Sequence, residues 1–313
     1  MDIAYLLWWQ DFRNAINDAL TPFMEEVSLF AVTYLIIIVA FIYWCVNKRA
    51  GLYILSSYTA AKAFNASLKL TVCAYRPWIR DPRIIPAGDA ITTATGYSFP
   101  SGHTITATPI YGGIALNTWK KMRWISVICL ALIAVTGISR NYLGVHTPQD
   151  VAVAMIEGFV FLFAMHKLSG YLEKHPEKEN FFLIAGVILG IIAICYITFK
   201  SYPMDYVNGE LLVDPKKMMK DGYGDTGSFI AFCVGRFIEK TWIRFEPELE
   251  KKTISSGMAG CLILFFLMRL LGSPLKEFLG LQWGSFANNF IIMLFIMAIW
   301  PAVMKLIQKR TER

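Results

Sequence analysis

Residues 139–150 read Ser-Arg-Asn-Tyr-Leu-Gly-Val-His-Thr-Pro-Gln-Asp and lie between two strongly apolar segments. His146 and Asp150 are four positions apart, and Pro148 between them is favoured in the first turn of a helix, where its missing N–H costs nothing. We therefore predict that Thr147 or a neighbour caps a helix, with His146 in the entering loop and Asp150 in the first turn. From there the carboxylate reaches back to the imidazole and fixes its tautomer. Taken alone, the stretch is equally compatible with a polar loop at a membrane surface.

Two earlier stretches carry basic and anion-binding groups. Lys69 precedes Arg76 by seven positions, and a proline follows Arg76. Because the residue before a proline disfavours helical geometry, Arg76 is expected just past a helix end, where both cations point at one spot. Ser101 and Gly102 open an apolar segment immediately before His103. A helix start of this kind offers free N–H groups, a hydroxyl and the positive end of the helix dipole to a phosphate.

The cations and histidines together predict a site for a phosphoryl group. Arg140 adds a planar guanidinium that suits phosphate oxygens. Metal-dependent phosphatases use clustered carboxylates, which the sequence does not place near these motifs, so we predict no metal and no other cofactor. Simpler alternatives stay open. Lys69 alone is typical of a lysine extending toward lipid headgroups, and Ser101 of an ordinary helix cap. Arg140 has an ion pair with Asp150 or Asp81 as its alternative.

The ordered set of motifs resembles the type 2 phosphatidic acid phosphatase (PAP2) superfamily. Its pattern is Lys, six residues and Arg-Pro, then Pro-Ser-Gly-His, then Ser-Arg, five residues, His, three residues and Asp, and every defining position is filled. The resemblance implies that His146 attacks phosphorus, that Asp150 orients it, and that His103 protonates the leaving oxygen. It also implies a phosphohistidine intermediate and a set of residues that hold the phosphate oxygens. These phosphate-binding residues are Lys69, Arg76, Ser101, Gly102 and Arg140.

The composition is that of a membrane protein. The chain has 313 residues, of which 56% are hydrophobic and 17% charged, an apolar excess typical of polytopic membrane proteins. The net charge of +7 then reflects basic cytoplasmic loops, and no nucleic-acid motif is present. The first residues lack a basic n-region, so no cleavable signal peptide is expected. The six cysteines are scattered singly without metal-binding spacing.

The apolar pattern predicts an all-α, polytopic membrane helical bundle with nine spans. These are 27–46, 51–72, 102–116, 124–138, 150–165, 181–199, 227–238, 254–271 and 286–307, and the seventh is short and marginal. The predicted parts are an amphipathic N-terminal segment (1–24), a PAP2-like six-helix catalytic core (25–200) and a C-terminal extension of about three transmembrane helices (201–313). Asp221 and Asp225 are assigned to a solvated connector, with a position facing the site as the alternative.

The placement of lysine and arginine predicts the orientation of the bundle. If the loop after the first span is cytoplasmic, the cytoplasmic segments hold most of the basic residues. These segments are 48–49, 120–123, 167–178, 236–252 and 305–313. The three motifs then face outward, and we expect an integral protein of the plasma membrane with an extracytoplasmic active site.

These observations predict a membrane phosphatase that hydrolyses a lipid phosphate or diphosphate through a phosphohistidine. Its expected partners are a phospholipid or isoprenoid phosphate substrate and membrane lipid, with no nucleic acid and an undetermined oligomeric state. The enzymatic alternatives are an undecaprenyl or polyprenyl diphosphate phosphatase, a phosphotransferase, and a phosphatase of the sphingosine-phosphate or sugar-phosphate type. The alternative outside enzymes is a catalytically silent lipid-binding or transport protein, against which the filled catalytic positions argue.

Overall fold

The computed structural model describes residues 2–247 and 251–311, which form a helical bundle with one small hairpin. The helices are α1 (Asp2–Ala15), α2 (Thr21–Thr33), α3 (Leu35–Phe41), α4 (Lys48–Val72), α5 (Pro77–Arg80), α6 (Ala90–Thr93), α7 (Gly102–Thr118), α8 (Arg123–Tyr142), α9 (Pro148–Lys174), α10 (Glu179–Phe199), α11 (Pro215–Ile238), α12 (Lys251–Leu270), α13 (Gly272–Leu279), α14 (Leu281–Leu294) and α15 (Trp300–Thr311). Short π- or 3₁₀-helical turns follow α3, α9, α11 and α14. Strands β1 (Tyr206–Val207) and β2 (Glu210–Leu211) pair antiparallel.

The all-α membrane class predicted from the sequence is confirmed. In the part of the chain that the structure describes, five helical stretches are long and apolar enough to cross a bilayer: Arg123–Tyr142, Pro148–Lys174, Pro176–Phe199, Thr253–Leu270 and Leu281–Lys309. The bent pair α2–α3, with a 44° angle between its halves, is a sixth candidate. Phe181 and Phe199 on α10 are 70% and 84% exposed, as expected for side chains that face lipid.

The remaining three predicted spans lie on α4, α7 and α11, which are helical but less apolar. Helix α11 begins at Pro215, twelve residues before the predicted start at 227. Asp214 caps it, since its side chain accepts a hydrogen bond from Lys216 N at 2.9 Å, and Pro215 takes the favoured first position. The part of the predicted connector that holds Asp221 and Asp225 is therefore helix. Because the first turns of α11 are polar, a search for apolar runs does not detect them.

Glycines let neighbouring helices of the bundle pack closely against each other. Helix α11 packs against α4, α10 and α14. A Cβ at Gly227 of α11 would lie 2.8 Å from the carbonyl oxygen of Phe286 in α14, so the two backbones are in contact. In the same way, Gly158 of α9 lies against Thr108 of α7. The C-terminal helices are therefore placed to contribute to a cavity next to α4.

Helix α1, within the predicted amphipathic segment, lies on the loop that follows α5. Arg13 donates to the carbonyl oxygen of Ile85 at 2.7 Å, and Trp9 makes an edge contact with Tyr142, with ring centroids 5.7 Å apart. Because Tyr142 is the last residue of α8, these contacts hold α1 next to the α8–α9 loop that carries the histidine motif.

Candidate active site

The start of α9 has the local structure predicted from the sequence. Thr147 is the N-cap, and Pro148 is the first helical residue. The Thr147 side chain accepts from Asp150 N at 3.3 Å, and Asp150 Oδ2 accepts from Thr147 N at 2.8 Å, which completes a capping box. The cap fixes the Asp150 carboxylate beside the loop that contains His146.

The hydrogen bonds of His146 define its tautomer. Its Nδ1 lies 3.2 Å from Asp150 Oδ2, and its Nε2 lies 3.0 Å from Arg76 Nη1. A guanidinium has no acceptor, so Nε2 must accept this hydrogen bond with its lone pair. The proton of the neutral ring is therefore on Nδ1, where it is donated to the carboxylate. This is the tautomer that a nucleophilic Nε2 requires.

The loop position of His146 also favours its neutral form. It lies between α8 and α9 and is fully buried. Burial and the nearby positive charge of Arg76 hold the pKa of the imidazole well below its usual range, and Asp150 opposes this effect only in part. His146 is therefore uncharged at neutral pH, with an unprotonated Nε2.

Arg76 joins three segments at the site. It has extended backbone geometry just after α4, as predicted from the proline that follows it. Its Nε donates to Gly96 O at 2.7 Å, and its Nη1 donates to Val145 O at 2.9 Å as well as to His146. One guanidinium thus connects the loop before α7 to the loop before α9.

The Pro-Ser-Gly-His motif forms the N-terminus of α7. Ser101 is the N-cap, its Oγ accepting from Thr104, while its backbone N donates to Asp150 O at 2.9 Å. This bond places the N-termini of α7 and α9 side by side. Apart from its chain neighbours and the backbone of its own helix, no heavy atom of the described residues lies within 4 Å of the point where a Cβ would project from Gly102, so the backbone there is open to a ligand. His103 is buried, and its Nε2 has no hydrogen-bond partner in the described part of the chain.

Lys69 makes contacts that the sequence did not predict. Its Nζ donates to three backbone carbonyl groups, those of Tyr97 at 2.9 Å, Ser98 at 3.4 Å and Pro100. The side chain is buried, which also excludes the alternative of a lysine extending to lipid headgroups. In this state Lys69 holds the loop that leads into α7, and its ammonium group lies at the edge of the same cavity as the histidines.

Arg140 lies behind the histidines. Its Nη1 donates to Ser28 Oγ at 2.6 Å, and its buried Nε and Nη2 have no partner among the described residues. The alternative of an ion pair with Asp81 is wrong, because Asp81 pairs with Arg83 at 2.7 Å, and this lowers the pKa of the partly buried carboxyl to about 2. Two donor atoms of Arg140 are thus left for an anion.

The motif residues converge on one cavity of about 320 Å³. Its lining includes Lys69, Arg76, Gly102, His103 and His146, whereas Ser101 and Arg140 are not among its lining residues. Within the described residues, no group of three or more His, Cys, Asp or Glu side chains is arranged to hold a metal ion.

Two acidic residues also line the cavity, contrary to expectation. Asp221 and Asp225 lie on α11 and face the site, so their assignment to a solvated connector is wrong. Ser98 and Asn141 are further residues that the sequence analysis missed. Ser98 Oγ donates to Asp150 Oδ2 at 2.5 Å, and Asn141 Nδ2 donates to His146 O at 2.9 Å. Asn141 belongs to the histidine stretch itself, but nothing in the spacing distinguishes Ser98.

This geometry defines a class: a helical integral-membrane protein with a buried pair of histidines in a cation-lined pocket. Residues 50–174, which carry the three motifs, match the family model of the PAP2 superfamily. The protein is accordingly a membrane phosphatase of the hydrolase class.

Two curated proteins are similar to the chain. Phosphatidylglycerophosphatase B of Bacillus subtilis is 27% identical over 184 residues, which cover 56% of this chain and 84% of the relative. Lipid A 4'-phosphatase of Bacteroides thetaiotaomicron is 35% identical over 82 residues, which cover 25% of this chain and 36% of the relative. No solved structure matches the chain.

Proposed function

We propose that the protein hydrolyses the phosphate monoester of a membrane lipid through a phosphohistidine on His146. The observation that carries the proposal is the unprotonated Nε2 of His146 in the same cavity as the unpartnered Nε2 of His103. One nitrogen is a nucleophile with a fixed lone pair, and the other is free to meet a leaving oxygen. The names of both relatives refer to phosphorylated lipids, which supports a lipid substrate.

The reaction consists of two displacements at phosphorus. In the first, His146 Nε2 forms a bond to phosphorus while the bond to the leaving oxygen breaks, and protonated His103 gives its proton to that oxygen, releasing an alcohol. In the second, neutral His103 takes a proton from water as the water oxygen bonds to phosphorus. The phosphorus–nitrogen bond breaks, which releases inorganic phosphate and returns His146 to its neutral form.

The surrounding groups stabilise the charge of the transferring phosphoryl group. Arg76 contacts the attacking nitrogen directly, and the N–H groups in the first turn of α7, which begins at Gly102, present the positive end of the helix dipole. The unpartnered Nε and Nη2 of Arg140 supply further donors. We assign Lys69 and Ser101 a positioning role, because their polar atoms hold the loop and the first turn on which His103 is placed.

The site is proposed to open on the extracytoplasmic face of the plasma membrane. The distribution of lysine and arginine among the loops supports this orientation. Residues 248–250 and 312–313 of the basic segments used in that argument lie outside the described residues.

The test of this function is phosphate release by the purified full-length protein from a panel of substrates in detergent micelles. The panel contains phosphatidic acid, phosphatidylglycerophosphate, farnesyl diphosphate and a soluble sugar phosphate, each with and without chelator. We expect chelator-resistant release from at least one lipid monoester. Release from none of them would support the silent binding protein, and release from the sugar phosphate alone would contradict a lipid substrate.

The pH profile tests the role of Arg76 in keeping His146 neutral. Since the reactive imidazole is the neutral form, kcat/KM falls as pH drops through the pKa of the free enzyme. We expect the midpoint of this fall, the acid limb of the profile, at a pH well below the ordinary histidine pKa of about 6.5. Arg76→Gln removes a positive charge and should move the limb to higher pH, whereas the exposed-loop control Arg83→Gln should not. Because all variants are assayed on the same substrate, ionisation of the substrate affects every pH profile equally. An acid limb that Arg76→Gln leaves in place would contradict this account.

A further inference from the structure

One wall of the catalytic cavity comes from outside the segment that matches the family. Residues 50–174 carry the motifs, but the opposite wall is built from α11, α13 and α14. The polar residues of this wall include Lys220, Asp221, Asp225, Lys276, Asn288 and Asn289. A Cβ at Gly224 would lie 2.7 Å from Asn289 Nδ2, so α11 and α14 meet closely at this wall. We refer to it as the C-terminal wall.

The carboxylates of the C-terminal wall cannot bind phosphate oxygens. Asp225 Oδ1 pairs with Lys62 Nζ at 2.7 Å, and Asp221 Oδ2 accepts from Thr95 Oγ1 at 2.9 Å. A carboxylate only accepts hydrogen bonds, and a phosphate dianion offers only acceptors as well. Any contact between these acids and a substrate must therefore involve a donor on the part of the substrate beyond the phosphoryl group.

An uncharged donor fits the wall better than an ammonium group or a second phosphate. The two acids face three lysines, since Lys62, Lys220 and Lys276 line the same cavity, so the wall has no net negative charge to attract a cation. Lys62 is committed to Asp225, and Lys220 Nζ lies 3.5 Å from Asp221. Of the three lysines, this pairing leaves Lys276 alone to meet a second phosphate.

The asparagine pair supplies an acceptor that lacks a donor. Asn288 Nδ2 donates to Asn289 Oδ1 at 2.9 Å. The buried Oδ1 of Asn288 has no hydrogen-bond partner in the described part of the chain. A buried acceptor without a partner is unfavourable, so this atom is suited to a donor that arrives with a ligand. On the motif side of the same cavity, His103 Nε2 likewise has no partner.

We propose that the C-terminal wall selects substrates whose leaving alcohol carries further free hydroxyl groups, namely polyol phosphate monoesters. The leaving oxygen meets His103, while a neighbouring hydroxyl donates to Asn288 Oδ1 or to Asp221. This inference rests on the proposed function, and it assigns specificity to residues outside the motifs. Phosphatidic acid lacks such a hydroxyl because both remaining glycerol oxygens are acylated. Phosphatidylglycerophosphate retains one on its terminal glycerol.

The test compares these two lipids, with identical acyl chains, in mixed micelles with the full-length protein. We expect kcat/KM to be about tenfold higher for phosphatidylglycerophosphate than for phosphatidic acid. Asn288→Ala and Asp221→Ala should each reduce that ratio by about fivefold, with the larger loss of kcat/KM on phosphatidylglycerophosphate. Glu277→Gln, an exposed position on α13 outside the cavity lining, is the matched control and should keep the ratio. Asp221→Asn retains one acceptor oxygen and the side-chain shape, so it guards against a folding failure and should give an intermediate ratio.

The outcomes separate this inference from the proposed function. Equal rates on both lipids, or a preference for farnesyl diphosphate, would overturn the polyol assignment while leaving the phosphatase intact. A wild-type preference that persists in both alanine variants would place the selectivity elsewhere. Equal loss of both activities in every variant would make the wall a general structural requirement and refute a role in selection. Absence of hydrolysis on any lipid would remove the proposed function itself.

Discussion

Replacing His146 with alanine should lower kcat/KM by at least about 10⁴-fold, because the variant lacks the atom that bonds to phosphorus. The loss should be nearly complete on every substrate, since no other described side chain places a nitrogen between Arg76 and Asp150. Substrate affinity should fall much less. The cations and the α7 N-terminus that hold the phosphate stay in place.

The measurement is phosphate release, together with labelling from a ³²P substrate quenched in alkaline detergent, in which a phosphorus–nitrogen bond is stable. Wild-type protein should carry an acid-labile label at neutral pH, and His146→Ala should carry none. His175→Ala is the matched control, because His175 is exposed after α9 and contacts Glu177 rather than the site. A His146→Ala protein that retains a tenth of wild-type activity would exclude the nucleophilic role. A label found on another residue would do the same.

The local parts of this site could be predicted from the sequence because they depend on neighbouring residues. The cap at Thr147 and the position of Asp150 in the first turn follow from residues three apart, with Pro148 between them. The extended backbone at Arg76 follows from the proline next to it. In each case residues within one or two turns of chain determine the backbone geometry, so tertiary contacts do not alter it.

The remaining parts depend on contacts that no local pattern records. Lys69 was assigned to phosphate because it is a cation, but it donates to carbonyl groups 28 to 31 residues later in the chain. Asp221 was assigned to a connector because α11 is polar where it faces the cavity. A search for continuous apolar segments identifies helices that face lipid, but it misses helices that line a polar pocket.

The second large effect is expected for Asp150→Asn, which separates the charge of the carboxylate from its geometry. Three donors converge on the same oxygen: His146 Nδ1, Ser98 Oγ and Thr147 N. An asparagine oxygen at that point accepts all three bonds and preserves the cap of α9. What it lacks is the negative charge that stabilises His146 as the ring becomes cationic on bonding to phosphorus.

We therefore expect Asp150→Asn to fold with a stability within about 1 kcal/mol of wild type and to lose about 10²- to 10⁴-fold in kcat. Asp150→Ala removes the charge and the Asp150 half of the capping box together, so it should lose at least as much activity and more stability. Ser98→Ala removes only one of the three donors and should cost less than tenfold. The measurements are steady-state phosphate release and thermal unfolding of each variant in detergent. Asp150→Asn activity within tenfold of wild type would mean that Asp150 acts only through the cap, and His146 would then need no carboxylate to become a nucleophile.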